Sequence, residues 1–172
     1  MECIQYCDGQ VKDAVSLPLG AVRITRNLTS GGNAPITPTE EQSIWKHVHD
    51  QLEKSSPGAA VRDGRALIGC GGAFSVTRSI LGQRAGQEYA QTSNKIQTNT
   101  LRDFYKEISC MELTERCQIP GLPVERADIL PVALFILLTV ADWFKSQSFH
   151  HSHYNLRFGL LATLFGHFTD KA

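Results

Sequence analysis

The 172-residue chain has no excess of either charge: 17 Lys and Arg stand against 17 Asp and Glu. Divided after residue 86, the first half holds nine basic and eight acidic side chains, and the second eight and nine. A nucleic-acid or anionic-membrane binder concentrates basic residues on some element, so neither class fits this balance. Long apolar runs are missing too. The longest, Ile129 to Ala141, is thirteen residues, includes Pro131 and Thr139, and falls short of the roughly 20 needed to span a bilayer. It reads as a fully buried helix. Residues 1–6 carry neither the basic start nor the apolar stretch of a signal peptide, and a cytoplasmic location is expected. The cysteines are few and odd in number: Cys3, Cys7, Cys70, Cys110 and Cys117. They give no pairing framework and no second pair to complete a zinc site with Cys3 and Cys7, so buried free thiols are expected. Also missing are a Gly-x-Ser-x-Gly elbow, a Walker phosphate loop and a His-Glu-x-x-His motif. What remains is a soluble α/β domain, 1–172, large enough to bury a core.

Local signals place its elements. Segments 2–7 and 11–18, joined by Asp8-Gly9, read as a hairpin. A short helix is expected over Ala21–Leu28 and a loop over 29–38. Thr37-Pro38-Thr39-Glu40 is a capping-box start for a helix to about Lys54, with Ile44, Trp45, Val48 and Leu52 on one face and Ser55–Gly58 as the stop. Ala66–Cys70 reads as a strand that runs through Gly71-Gly72 into a helix ending near Leu81. Residues 82–99 read as a long polar surface excursion. Then come a helix over 100–117, a turn at 119–123 and the apolar helix over about 127–145 with Pro131 in its first turn. A strand over 147–152 and a helix over 155–168 close the chain. Strands alternating with helices after an opening hairpin argue α/β.

The Gly-rich turn is the first candidate for chemistry. A strand entering glycines and then a helix presents free N–H groups and the positive end of a helix dipole, a setting suited to phosphate. Gly71 and Gly72 also let a ligand approach the backbone. The bland alternative is a tight strand-to-helix turn. Arg23 could hold an anion through its planar fork or serve a surface ion pair. His150-His151-x-His153 invites a metal assignment, since His151 and His153 share a strand face. No acidic or cysteine ligand lies nearby, and no metal site is assigned. The histidines read as the polar end of a strand, and His47 and His49 as solvated. Glu40, Glu41, Glu88, Glu112, Glu115 and Glu125 read as solvated faces, none of them a general base.

Four stretches in order resemble the exopolyphosphatase and guanosine-pentaphosphate phosphatase family, of the actin-like ATPase (ribonuclease H-like) fold class. They are Ser16–Thr25 after the hairpin, Ile68-Gly69-Cys70-Gly71-Gly72-Ala73, Pro120–Leu130, and Asn155-Leu156-Arg157-Phe158-Gly159-Leu160-Leu161. The resemblance implies a lobe with a mixed sheet that opens on a hairpin and is flanked by helices. It also implies that an Asp-x-Gly-Gly-Gly-Ser loop and the whole preceding lobe, including the water-activating acid, are absent. The expected ligand-binding residues are Gly69, Gly71, Gly72, Arg23 and Arg157, with no catalytic residue in this chain. Relatives usually read Arg-Glu-Gly where this chain has Arg157-Phe158-Gly159. An arginine at a helix start opposes the dipole, which implies another partner for Arg157.

The function this implies is hydrolysis of phosphoanhydride bonds in inorganic polyphosphate or guanosine pentaphosphate. Mg²⁺ would act in the intact enzyme, the N-terminal lobe would be the partner, and the chain alone would be inactive. The alternative is a non-catalytic ligand-sensing or interaction domain, suggested by Phe158 and the polar excursion at 82–99. A homodimer through the apolar helix is a further possibility. No membrane or nucleic-acid partner is expected.

Overall fold

The computed structural model describes residues 1–55 and 67–165. Two strands, β1 (Glu2–Cys7) and β2 (Gln10–Ser16), form the expected antiparallel hairpin, turning at Asp8 and Gly9, both with positive φ. β2 ends earlier than the sequence suggests, at Ser16; Leu17 still exchanges backbone hydrogen bonds with Met1 at 2.7 and 2.8 Å, and Leu17 and Leu19 bury their side chains against α1 (Ala21–Leu28). α2 (Pro38–Ser55) starts as expected. Thr37 N–H donates to Glu40 Oε2 at 2.7 Å, and Glu40 N–H to Thr37 Oγ1 at 3.3 Å. Its inward face is Ile44, Val48 and Leu52. Trp45 lies off that face, 48% exposed, with its ring 3.9 Å from that of His49.

The second sheet is β3 (Leu67–Gly69), β5 (Ser148–His151) and β4 (Lys95–Gln97), in that order, with β3 parallel and β4 antiparallel to β5. The expected surface excursion over 82–99 holds for 85–94, which is largely exposed, but its end is a strand, β4. After α3 (Gly72–Arg84) the chain makes a 3₁₀ turn at Tyr89–Gln91 and returns to the sheet, burying Ile96. One expected helix is two: α4 (Thr98–Ser109) and α5 (Leu113–Arg116), separated where Glu112 and Glu115 form a new capping box. The apolar helix, α6, runs Leu130–Trp143 with its proline in the first turn, and α7 spans Leu156–Leu164. The expected stop at 56–58, Ala66 of the strand and the last residues of the closing helix lie outside the described residues.

The position of α6 explains its composition. Leu130, Leu134, Leu138 and Ala141 join one buried cluster with α3, α4, β4 and β5. Val132, Ile136 and Val140, two residues out of step and so on the opposite side, join a second with Leu17, Leu19, α1 and α2. A helix packed on both sides has no polar face to keep. Among the described residues the hairpin and the three-stranded sheet share no ladder, so β1 and β3 each leave one edge unpaired. Both strands line one cavity of about 350 Å³, together with Leu137, Val140, Phe144 and Phe149.

The thiols are free as expected but none is buried: Cys70 and Cys110 are exposed, and Cys3, Cys7 and Cys117 half-buried. Cys3 and Cys7 sit on a two-stranded hairpin, where Cys3 packs only at the margin of the second cluster, and Cys70 and Cys110 sit at element ends.

Candidate functional site

The β3–α3 turn is built by three glycines with three different reasons. Gly69 is buried under Phe74: a Cβ there would lie 2.2 Å from the ring. Gly71 has φ +122°, a conformation costly for L side chains, with open space where a Cβ would be. Gly72 opens α3 and has only Arg126 near its absent side chain; a Cβ would lie 3.9 Å from Arg126 Cζ. The start of α3 therefore lies beside a guanidinium.

Arg126 arrives there because residues 121–126 run along α3. Gly121, at φ +84°, approaches the Gln83 side chain so closely that a Cβ would be 3.1 Å from it. The chain then passes through a 3₁₀ turn, Val124–Arg126, to the start of the same helix. Arg126 lies within a stretch that sequence reading singles out, yet nothing local distinguishes it from Glu125 beside it.

Of the other expected ligand residues, Arg157 belongs to the same end of the molecule. Ser152 N–H donates to Gly69 O at 2.9 Å, and Cys70 Sγ lies 3.6 Å from Tyr154 O, so the start of α7 adjoins the turn. Asn155 caps α7 by accepting from the Arg157 N–H at 3.0 Å. The Arg157 side chain is exposed, and neither it nor Arg126 forms an ion pair among the described residues. Arg23 is not brought to this place. It is exposed on α1 beside Met1, Leu17 and Pro18, in an open hollow of about 480 Å³.

Behind the turn lies a polar cluster that corrects the reading of the histidines as a polar strand end. His151 is buried, and Arg78 Nη1 donates to His151 Nδ1 and His153 Nε2, each at 3.2 Å. Arg78 Nη2 donates to the Thr92 carbonyl at 2.7 Å and to its hydroxyl oxygen at 2.9 Å. On the far side His151 Nε2 is 3.4 Å from Ser75 Oγ, which in turn lies 3.4 Å from Gly71 O. Burial, reinforced by the nearby His153 and Arg78, pushes the His151 pKa down to about 4. Alternation along β5 predicts a shared face for His151 and His153; burial of that face depends on α3 and the 85–94 loop. His49 is likewise not solvated, lying between Trp45 and Trp143. Glu41 accepts from the hydroxyl of the buried Tyr105 at 2.6 Å; burial and this carboxylate both push the phenol's pKa upward. Among the described residues no group of three or more His, Cys, Asp or Glu could hold a metal ion, and no helix is long and apolar enough to cross a membrane.

The model of the Ppx/GppA phosphatase family matches residues 1–168. The chain belongs to that family. The structure of an Aquifex aeolicus family member superposes with a TM-score of 0.83 at 16% identity, covering 98% of this chain and 54% of that one. An exopolyphosphatase from Cytophaga hutchinsonii gives 0.79 at 19% identity, covering 96% and 54%. An uncharacterised Streptomyces coelicolor protein is 25% identical over 112 residues, 65% of this chain and 33% of its own length. The fold is therefore the α/β, actin-like one of this family. The chain spans about half the length of those two solved structures and a third of that curated relative.

Proposed function

We propose that the chain is one lobe of a hydrolase that cleaves phosphoanhydride bonds, with inorganic polyphosphate or guanosine pentaphosphate as substrate. The observation that carries this reading is the β3–α3 turn. There a helix N-terminus, opened by two glycines without side-chain cover, lies beside the guanidinium of Arg126, which has no ion pair among the described residues, with Arg157 on the adjoining segment. Backbone N–H groups and a planar cation together suit the oxygens of a phosphate chain. Binding is what this wall can supply. No carboxylate cluster accompanies it among the described residues, so the Mg²⁺ implied by the resemblance does not fit a site on them.

The activity thus needs a second half to provide the metal ligands and the acid that activates water. The unpaired edges of β1 and β3 on one cavity support this, since an extended segment laid there would bond to both. One of the two features behind a non-catalytic reading, the polar excursion, is in part absorbed into the sheet, its end forming strand β4. Titration with tripolyphosphate, followed at the amides of residues 71–73, tests the binding wall. Shifts there that Arg126→Gln abolishes are expected, and unmoved amides would overturn it. Phosphate release from polyphosphate and guanosine pentaphosphate with Mg²⁺, by the chain joined to a second half, tests the reaction.

A further inference from the structure

The peptide joining Gly71 to Gly72 has no side chain of its own to fix it. Gly71 sits at φ +122° with open space where a Cβ would be, and neither residue resists rotation of the peptide sterically. Its orientation matters. Because the peptide is trans, a Gly71 carbonyl pointed into α3 sends the Gly72 N–H out of the helix end. Turned over, the same peptide would present an oxygen there instead. The carbonyl is held inward by Ser75, whose N–H donates to it at 3.3 Å and whose hydroxyl donates at 3.4 Å.

A serine hydroxyl rotates to suit its neighbours, and here the second neighbour aims its one hydrogen. His151 Nε2 lies 3.4 Å from Ser75 Oγ. Arg78 Nη1, 3.2 Å from His151 Nδ1, can donate but not accept, so Nε2 carries the imidazole hydrogen. The Ser75 oxygen then receives that hydrogen, and its own is left for the Gly71 carbonyl. All three links run one way, from guanidinium to glycine, and each polarises the next.

The source of the chain is firmly held. Arg78 is 6% exposed, and its Nη2 donates to the Thr92 carbonyl and hydroxyl while the Tyr89 ring lies 4.7 Å from Cζ. The His151 ring lies nearly parallel to that of Phe74, 5.9 Å away, and its backbone pairs with Gly69 in the β3–β5 ladder. Among the described residues no carboxylate forms an ion pair with Arg78, so its polarising charge is not cancelled at the source.

We propose that Arg78, His151 and Ser75 are positioning residues of the β3–α3 turn, which together hold the Gly71–Gly72 peptide with its N–H toward an anion. None of the three touches the ligand. The proposal rests on the reading above that this turn binds phosphate oxygens, but the state of the peptide is measurable without any ligand.

Ser75→Ala tests it with little risk to the fold, since alanine favours a helix. In the ligand-free chain, relaxation dispersion should show new millisecond exchange at the amides of residues 71–73. Tripolyphosphate should bind roughly 3–10-fold more weakly, as for one lost hydrogen bond. Ser75→Thr, which keeps the hydroxyl, should restore both. Arg78→Lys should weaken binding as well, and adding Ser75→Ala to it should cost no more than about twofold further, because both break one chain. An arginine that only supports the fold would give additive losses. The proposal is overturned if Ser75→Ala leaves exchange at 71–73 unchanged, if Ser75→Thr behaves as Ser75→Ala does, or if the two losses add. Should Arg78→Lys fail to fold, the two Ser75 variants decide. A lack of tripolyphosphate binding by the unaltered chain would remove the phosphate reading, and the exchange measurements would still decide whether Ser75 holds the peptide.

Discussion

Arg78 on α3 and His151 on β5 meet as two buried side chains, Nη1 donating to Nδ1 at 3.2 Å. The guanidinium has no lone pair to accept with and no proton it can lose, so the imidazole must be the acceptor. Its proton therefore sits on Nε2, directed at Ser75. Nitrogen-15 spectra at neutral pH should show the Nε2–H tautomer for His151. The Nδ1–H form would disprove the arrangement.

Burial of the same imidazole makes stability depend on pH. The His151 pKa falls from 6.5 to about 4 on folding, so between those values the unfolded chain binds more protons than the folded one. The contribution is complete above pH 6.5 and is lost progressively as pH falls toward 4, up to about 3 kcal/mol. Urea midpoints for His151→Gln should lose this slope. An unchanged slope would assign it to other groups.

Arg78 itself joins three segments, through Thr92, His151 and His153. Lysine keeps the charge but cannot span them. Arg78→Lys and Arg78→Met should each cost roughly 2–4 kcal/mol in chemical denaturation, since both strand buried acceptors. Near-neutral values for lysine would mean that charge, not the planar fork, is what the site uses.

Three glycines offer a graded series. Gly69→Ala forces the Phe74 ring aside and should cost about 2 kcal/mol or more. Gly71→Ala meets open space but an unfavourable φ, at about 1–2 kcal/mol. Gly72→Ala should leave stability within ~0.5 kcal/mol and still reduce tripolyphosphate affinity, because the added methyl lies toward Arg126. Equal affinity for Gly72→Ala and the unaltered chain would remove Gly72 from the binding wall.

Much of this was legible where the information is local. The Asp8-Gly9 hairpin, the Thr37–Glu40 box and the all-round apolarity of α6 follow from neighbours in sequence. Strand β4 was not, because Lys95-Ile96-Gln97 offers one apolar residue, and its place depends on β5, nearly a third of the chain later. The break at Cys110–Glu112 is hidden in the sequence because the apolar spacing continues across it while the Glu112–Glu115 box restarts the helix. The site divides likewise. The glycine turn can be read from its residues, whereas Arg126 reaches it only through packing of Gly121 on Gln83, and His151 becomes buried only when α3 brings Arg78.

The bare edges of β1 and β3 also govern how the chain behaves before it meets any partner. An unpaired edge will template whatever extended backbone reaches it first. At high concentration that is another copy of the same polypeptide, and growth by edge-to-edge addition has no natural stopping point. Solubility of the isolated chain is thus a race between completion and self-assembly, decided by how soon a proper strand fills the gap.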